Sequence, residues 1–416
     1  MESYISSLHA EKVGLFEELN IKFNKSFNFI VGPNGSGKTS ILRCIALLLH
    51  GDALKKSRYG EDSELWINIK YNEESYRIGM GKGWVRDFDN YRQAAVKEWV
   101  LPPSENGLIS LSPGQIEQRG AKFCPLILGA YRRIDYKKIE GTKRELSPRE
   151  QSANYRLDGI GNLEGTSLPE VKQWIINRIF AIHQDWAKVE RENWDWFIEN
   201  LPLVTPKGSK LEYIEISRHF EPVFSLNDVK CYLEELSGGY QAVMSLLFGI
   251  FNWIEGINDE DEGRIAKNAI GTVIIDELDV HMHPEWQFTI KGALEKIFPK
   301  LQFITTTHSP HLISMARPNE IIILPEFSRI INVEATSRTF SGWTTDQILQ
   351  DIMRVKSLEN KLYSKFFNEA RKCIEQKDIE GLNRIIVKLK EISHPSDTIV
   401  KQLEINRATL KLEDEE

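Results

Sequence analysis

The chain is poor in cysteine: Cys44, Cys124, Cys231 and Cys373 are scattered among 416 residues, a spacing that fits neither a zinc site nor a disulfide frame. Long apolar runs are missing as well. None approaches the roughly 20 residues of a membrane-spanning helix, so no membrane partner is expected. The first residues lack the charged-then-apolar pattern of a secretory signal, and with scattered thiols this makes reduced cytoplasm the expected compartment. Internal repeats, sustained heptads and low-complexity tracts are absent. Positive charge is in deficit: 53 Lys and Arg against 60 Asp and Glu leave −7. That argues against a chain coated in phosphate-binding residues, though not against a local basic groove. What remains, 41% hydrophobic and 27% charged, is a globular composition long enough for one large or two ordinary domains.

Against that background one stretch stands out. The apolar run Phe27–Val31 leads directly into Gly32-Pro-Asn34-Gly35-Ser36-Gly37-Lys38-Thr39-Ser40. Strand, glycine-rich loop and helix in this spacing wrap backbone N–H groups around a nucleotide's β-phosphate. Glycine is needed there because a Cβ would block the approach of the backbone. Lys38 offers a point charge to the β/γ oxygens, and the Thr39 hydroxyl is placed to ligate Mg²⁺. The following helix, from Ile41 to about Leu49, aims its positive end at the same anion.

Elsewhere the patterning is uneven. Short strands are expected at Tyr4–Leu8, Leu15–Phe23 and through residues 63–80. From about 100 to 165 the signal blurs, apart from an apolar strand at Pro125–Gly129. Helical spacing returns over Leu168–Ala187, and Trp174, Trp186, Trp194 and Trp196 read as packing residues of a small helical lid, with base stacking as the alternative. Past residue 230 the chain becomes regular α/β. Thr272–Asp276, Leu301–Thr307 and Glu320–Leu324 read as strands buried on both faces, and Pro284 opens a helix. Beyond Gly342 helices are expected over Thr345–Met353, Leu358–Glu375, Ile379–Ile392 and Asp397–Leu410, with Gly381 interrupting the third and an acidic, solvated tail at Glu413–Glu416.

The second half also carries chemistry. A strand ends at Asp276-Glu277, where one carboxylate can hold Mg²⁺ and the next can polarise an attacking water. Leu278-Asp279 follows, and the next strand ends at Thr307-His308-Ser309-Pro310-His311, setting His308 at a neighbouring strand tip. Upstream, Leu236-Ser237-Gly238-Gly239-Tyr240-Gln241 opens an apolar helix, a second anion-binding end. One site rarely needs two such ends from one chain, so the second is expected to cap the γ-phosphate held by another copy. His281 and His283 could be metal ligands but lack further partners.

This set resembles the ATP-binding-cassette (ABC) ATPase superfamily from residue 4 to about 325. Gly32–Thr39 matches its Walker A loop, Leu236–Tyr240 its signature motif, Ile274–Glu277 its Walker B with catalytic Glu, Asp279 its D-loop and His308 its switch histidine. Tyr240 stands where the signature usually has Gln, and Gln115 and Gln118 are both candidates for the glutamine loop. Within the superfamily the Asp-Glu-Leu-Asp-Val-His-Met-His-Pro and Thr-Thr-His-Ser-Pro runs are similar to the RecF, SMC and overcoming-lysogenization-defect branch. Size, a helical tail and no fused nuclease pattern resemble the stand-alone ATPases of Septu-type antiphage systems, the PtuA family.

The resemblance implies an α/β ABC-ATPase head, a mixed sheet with flanking helices, carrying a helical lid insertion and a helical C-terminal extension. The expected parts are an N-terminal lobe (1–160), the lid (161–230), a C-terminal lobe (231–343) and a partner-docking region (344–416). It implies ATP and Mg²⁺ as cofactors and Mg-dependent hydrolysis. It also implies a homodimer or higher oligomer, a separate HNH nuclease subunit, and DNA or retron nucleic acid as a further candidate partner. The alternatives are a RecF-like repair or recombination ATPase acting on DNA itself, and a nucleotide-gated scaffold or toxin regulator. Two basic clusters, Tyr131-Arg132-Arg133 with Lys137-Lys138, and Lys55-Lys56 with Arg58, read as solvated faces, with a phosphodiester track as the alternative.

Overall fold

A computed structural model describes residues 2–49, 60–83, 85–86, 96–98, 100–105, 107–112, 115–118, 123–165, 170–326, 328–355 and 361–415. The basic cluster Lys55-Lys56 with Arg58, and Glu416 of the acidic tail, lie outside the described residues.

In chain order the strands are β1 (Ser3–Val13), β2 (Phe16–Lys22), β3 (Phe27–Val31), β4 (Glu64–Tyr71), β5 (Glu74–Met80), β6 (Val85–Arg86), β7 (Val96–Glu98) and β8 (Ile109–Leu111). They continue with β9 (Leu126–Leu128), β10 (Leu211–Ile216), β11 (Pro222–Leu226), β12 (Val229–Tyr232), β13 (Gly271–Ile275), β14 (Leu301–Thr306), β15 (Ile321–Ile323) and β16 (Ile330–Val333). Two large sheets result. One is mixed and largely antiparallel, in the order β16-β2-β1-β4-β5-β8; the other is wholly parallel, β15-β3-β14-β13-β9. The expected α/β head is present, and the parallel sheet carries the phosphate loop at the end of β3.

The parallel sheet divides the interior in two. Phe27, Phe29, Val31, Val273, Ile275 and Phe303 face one apolar cluster. The alternate residues of the same strands, Ile30, Ile274 and Ile304, together with Ile322 of β15, face the other. A period of two on strands buried on both sides produces this, and it is why they read as unbroken apolar runs. Each such side chain contributes roughly 1.5–3 kcal/mol. The two sheets are pinned by one polar side chain: Gln302 on β14 accepts from Ile5 N (2.8 Å) and Thr272 Oγ1 (2.8 Å) and donates to the Ile5 carbonyl (2.7 Å). Ile5 lies where the β1–β4 register shifts, so its backbone groups are available for a side-chain partner.

Between residues 100 and 230 three expectations needed correction. The blurred region contains a helix, Pro148–Glu164, started by a capping box in which the Ser147 hydroxyl accepts from Glu150 N while Glu150 reaches back to Ser147 N. Its polar composition hid the helical period. The lid segment is not helical throughout: after helices Val171–Ala181 and Lys188–Asn200 it forms the antiparallel sheet β10-β11-β12. Nor do its tryptophans behave alike. Trp174 and Trp194 are buried in the same cluster as β3, Trp196 is partly buried, and Trp186 is 72% exposed.

The chain divides into compact units at Met1–Met353 and Arg354–Glu416, ten residues past the expected boundary at 343/344. The shift has a packing cause: Ile348, Ile352 and Met353 are buried in the first unit's core. The second unit is helical, Lys361–Glu375, Ile379–Ile392 and Thr398–Glu415, around Ala370, Leu382, Ile386, Leu389 and Leu403. Gly381 does not interrupt its helix; it lies in the first turn, where its N–H meets the Asp378 carboxylate at 2.8 Å.

Candidate active site

Gly32, Gly35 and Gly37 all have positive φ, at 155°, 78° and 93°. A Cβ at Gly32 would meet Ser36 Oγ and the Leu324 side chain at 3.1 Å each, so the turn is closed to larger residues. Asn34 and Gly35 are exposed at the loop's tip, while Ser36 and Lys38 are buried. Lys38 donates to the carbonyls of Gly32 and Pro33, both at 2.9 Å, which holds its ammonium inside the loop. Burial lowers its pKa, and Asp276, Glu277 and Asp279 oppose that shift. Helix Lys38–Leu47 begins at Gly37 with no acidic residue in its first turn, leaving a positive end; Ser40 lies half-buried within that turn.

Walker A and Walker B meet directly. Thr39 Oγ1 lies 3.0 Å from Asp276 Oδ2 and 3.2 Å from Oδ1, so a hydroxyl and a carboxylate converge from neighbouring elements. These hard oxygen donors suit Mg²⁺. Ser36 Oγ, buried without a hydrogen-bond partner among the described residues, adds an uncommitted polar atom in the phosphate turn. The residues present therefore fit a magnesium–nucleotide group, whose metal Thr39 and Asp276 would hold. A divalent ion bound there supplies charge neutralisation at the phosphates.

Glu277 follows Asp276 in a left-handed conformation, φ +49°, a strained setting for a residue with a Cβ. Thr306 on β14 holds it. Its hydroxyl donates to Asp276 Oδ1 (2.5 Å) and accepts from Glu277 N (2.7 Å). Arg132 holds it from the other side: buried to 2% exposure, it donates to the carbonyls of Asp276 (2.8 Å), Glu277 (2.6 Å) and Gly129 (2.7 Å). Burial brings this guanidinium down to about 10. Arg132 is thus neither a solvated face nor a phosphodiester track, the two readings its basic neighbourhood suggested. Asp279 accepts from Thr307 Oγ1 and from His308 N, the latter at 3.2 Å, tying the turn after β13 to the end of β14. His308 is half-buried, and burial, then the charge of Lys38, holds its pKa below the ordinary 6.5.

The signature motif stands apart. Ser237 and Gly238 are exposed at the start of helix Gly238–Ile257, and the Ser237 side chain makes no capping bond. Among the described residues no hydrogen bond joins Ser237, Gly238 or Gly239 to the loop Gly32–Thr39. Gly239 packs tightly instead: a Cβ would lie 2.4 Å from the Trp286 ring and 2.8 Å from the His281 carbonyl. Gln241, one past Tyr240, donates to the carbonyls of Glu234 (3.0 Å) and Leu236 (2.8 Å) and shapes the motif from beneath. His283 caps helix Pro284–Ile297 through Nδ1, and His281 adopts φ +62°; among the described residues neither joins a metal-ligating group. Gln115 opens the short helix Gln115–Gln118.

Sequence reasoning missed Thr306, Gln241 as a brace, and the role of Arg132. The signal for Arg132 was its place just past a wholly apolar strand, where a solvated arginine is out of keeping.

Phosphate loop, Walker B carboxylates and switch histidine gathered at one end of a parallel sheet define a P-loop ATPase of the ABC type. Sequence comparison with known proteins agrees. Residues 7–97 match an AAA domain and residues 132–313 an AAA ATPase domain. The chain is 26% identical over 414 residues to the Septu protein PtuA of Bacillus thuringiensis, covering 97% of this chain and 98% of that protein. It is 32% identical over 143 residues to the retron Vc95 probable ATPase of Vibrio cholerae serotype O1 biovar El Tor, covering 34% of this chain and 27% of that protein. Among solved structures, the Smc head domain bound to the C-terminal domain of ScpA from Pyrococcus furiosus aligns with a TM-score of 0.49 and 16% identity, over 84% of this chain and 99% of that one. The chain is an ATPase, and along nearly its whole length it is similar to the Septu protein PtuA of Bacillus thuringiensis. No helix among its described residues is long and apolar enough to cross a membrane.

Proposed function

We propose that this ATPase works as a head-to-tail homodimer, alone or within a higher oligomer, in antiphage defence, where its nucleotide state regulates a separate HNH nuclease subunit. The observation that carries the dimer is the exposed, uncapped helix start at Ser237-Gly238, which has no bond to its own chain's phosphate loop. Its free N–H groups suit the γ-phosphate of an ATP held by Lys38 and Thr39 of a second copy. Closure excludes water and completes the charge clamp, where phosphoryl transfer gains most of its acceleration. Glu277 polarises the attacking water and His308 faces the γ-phosphate. Asp279 bridges to the partner copy, while Asn34, Gly35, Ser36, Gly37 and Ser40 line the phosphates.

The defence role and the nuclease partner follow the similarity to PtuA, which spans 98% of that protein. The second unit is the docking candidate: Leu362, Val387, Ile392, Ile405 and Leu412 are exposed apolar residues on a small bundle. DNA or retron nucleic acid is a further candidate partner, on the similarity to the retron ATPase.

The test uses Glu277→Gln to trap ATP. Light scattering is expected to show the mass doubling with ATP and Mg²⁺, and Ser237→Arg to abolish that doubling with ATP still bound. A Glu277→Gln protein that stays monomeric at saturating ATP refutes the dimer. Full turnover by that variant refutes its role as base. Ending the chain after Met353 separates docking from packing: loss of nuclease co-purification supports the former, and retention excludes it.

A further inference from the structure

Arg132 and Gln241 are two ends of one short strap. Gly129–Ile134 leaves the edge strand β9, whose partner β13 runs into Asp276, and Asp276 N continues that ladder to the Leu128 carbonyl at 2.9 Å. Arg132, within the strap, grips the carbonyls of Asp276 and Glu277, with a longer contact to Leu278 at 3.5 Å. Two residues on, Ile134 N donates to Gln241 Oε1 at 3.1 Å, and the amide of that same Gln241 holds the carbonyls of Glu234 and Leu236, just before Ser237. Both side chains are buried, Arg132 at 2% and Gln241 at 4% exposure, so solvent cannot replace these bonds. The strap is anchored at its origin, where a Cβ on Gly129 would lie 2.4 Å from the Asn162 carbonyl and 2.6 Å from that of Leu163. Arg132 Nε, buried and without a partner among the described residues, leaves the guanidinium held through its two outer nitrogens, a fork able to pivot with the loop.

The geometry points to Arg132 as a positioning residue for Glu277, coupled through Gly129–Ile134 and Gln241 to the signature loop of the same chain. This rests on the head-to-tail dimer. There, a chain's Ser237 meets the ATP of the opposite site while its Glu277 serves its own, so the strap carries occupancy of one site to the catalytic turn of the other. A small displacement of the signature loop moves the carbonyls that Gln241 holds, then Ile134, then the fork on Glu277. The chemical step is unchanged. What varies is how often Glu277 sits in its strained, productive conformation.

The test combines Arg132→Met, Gln241→Met and the double variant in the full-length protein, with Arg132→Lys in reserve because it keeps a charge and a donor at the site. The readouts are ATP affinity, kcat, the Hill coefficient of hydrolysis and the thermal midpoint. Either single variant is expected to lower kcat at least tenfold with ATP affinity within threefold, and to bring a Hill coefficient above 1 down to 1. The double variant is expected to be no slower than the slower single. A purely structural role predicts affinity, kcat and thermal midpoint falling together; that pattern, or multiplied losses in the double variant, overturns the proposal. Should Arg132→Met not fold, Gln241→Met carries the test: wild-type kcat with an unchanged Hill coefficient there overturns the proposal, and Arg132→Lys is expected to keep part of the rate. If light scattering shows no ATP-driven dimer, cross-site coupling falls with the dimer, whereas a kcat loss at unchanged affinity still establishes Arg132 as positioning Glu277.

Discussion

Replacing Thr306 by Val removes one oxygen and leaves the shape of the side chain nearly unchanged. Thr306 is 1% exposed, and its hydroxyl is fully committed: its proton goes to Asp276 Oδ1 at 2.5 Å and its oxygen accepts Glu277 N at 2.7 Å. A hydrogen bond to a charged group contributes about 1.5–3 kcal/mol, and a buried amide left unpaired costs about 1–3 kcal/mol more. Thr306→Val is therefore expected to destabilise the first unit by roughly 2.5–6 kcal/mol. Thr306→Ser keeps the hydroxyl and loses one methyl, about 1 kcal/mol. Urea unfolding followed by tryptophan fluorescence reads the difference, and ATP turnover reads the consequence. With one support gone, the left-handed Glu277 relaxes, and kcat is expected to fall about tenfold to a hundredfold in the Val variant alone, each factor of ten being about 1.4 kcal/mol. If Val and Ser variants unfold at the same urea concentration, or Val turns over ATP at the wild-type rate, the argument that Thr306 holds the catalytic turn is wrong.

Other perturbations have equally definite outcomes. Lys38→Ala removes the cation seated on the Gly32 and Pro33 carbonyls and is expected to weaken ATP binding at least tenfold by fluorescence titration. Gly239→Ala drives a methyl into the Trp286 ring and the His281 carbonyl, and is expected to cost about 1–3 kcal/mol and most ATPase activity. Glu255 has a wholly buried side chain that accepts from Trp174 Nε1 (3.0 Å), Asn193 Nδ2 (2.8 Å) and Arg178, so Glu255→Ala leaves the buried indole and amide without their acceptor and Arg178 with only the half-exposed Glu145, and is expected to lower stability by about 3–5 kcal/mol in urea unfolding. The depressed pKa of His308 means that the fold favours neutral imidazole, with Lys38, Asp276, Glu277 and Asp279 around it. Its contribution is complete above the ordinary 6.5 and is lost as pH falls through the lower folded value, so the nucleotide-free wild type should lose more stability between pH 7 and 5 than His308→Gln.

The sequence declared the elements that are apolar through and through. β3, β13 and β14 lie in a sheet covered on both faces, and nothing but a buried strand fits Phe27–Val31 or Thr272–Ile275. The phosphate loop was equally legible, because its glycines answer to local backbone geometry. Helix Pro148–Glu164 was not, since a mostly polar face and two internal glycines hide its period. Arg132 and Thr306 were missed for another reason. Their roles depend on β9, β13 and β14 becoming neighbours, which no local window of residues reveals.

The strand order has a consequence for synthesis. β3 lies between β14 and β15, both made almost three hundred residues later, so the nucleotide loop has no neighbours in its own sheet when it leaves the ribosome. Until residues 301–323 emerge, Phe27–Val31 presents two unpaired edges and apolar side chains on both faces, the makings of misassembly between nascent chains. Late pairing of this kind also slows folding, because so long a loop must close before the strands are rewarded with contacts. A cell making this ATPase has to shield β3 for most of the time the first unit takes to translate, whereas β1, β2 and β4 find one another early.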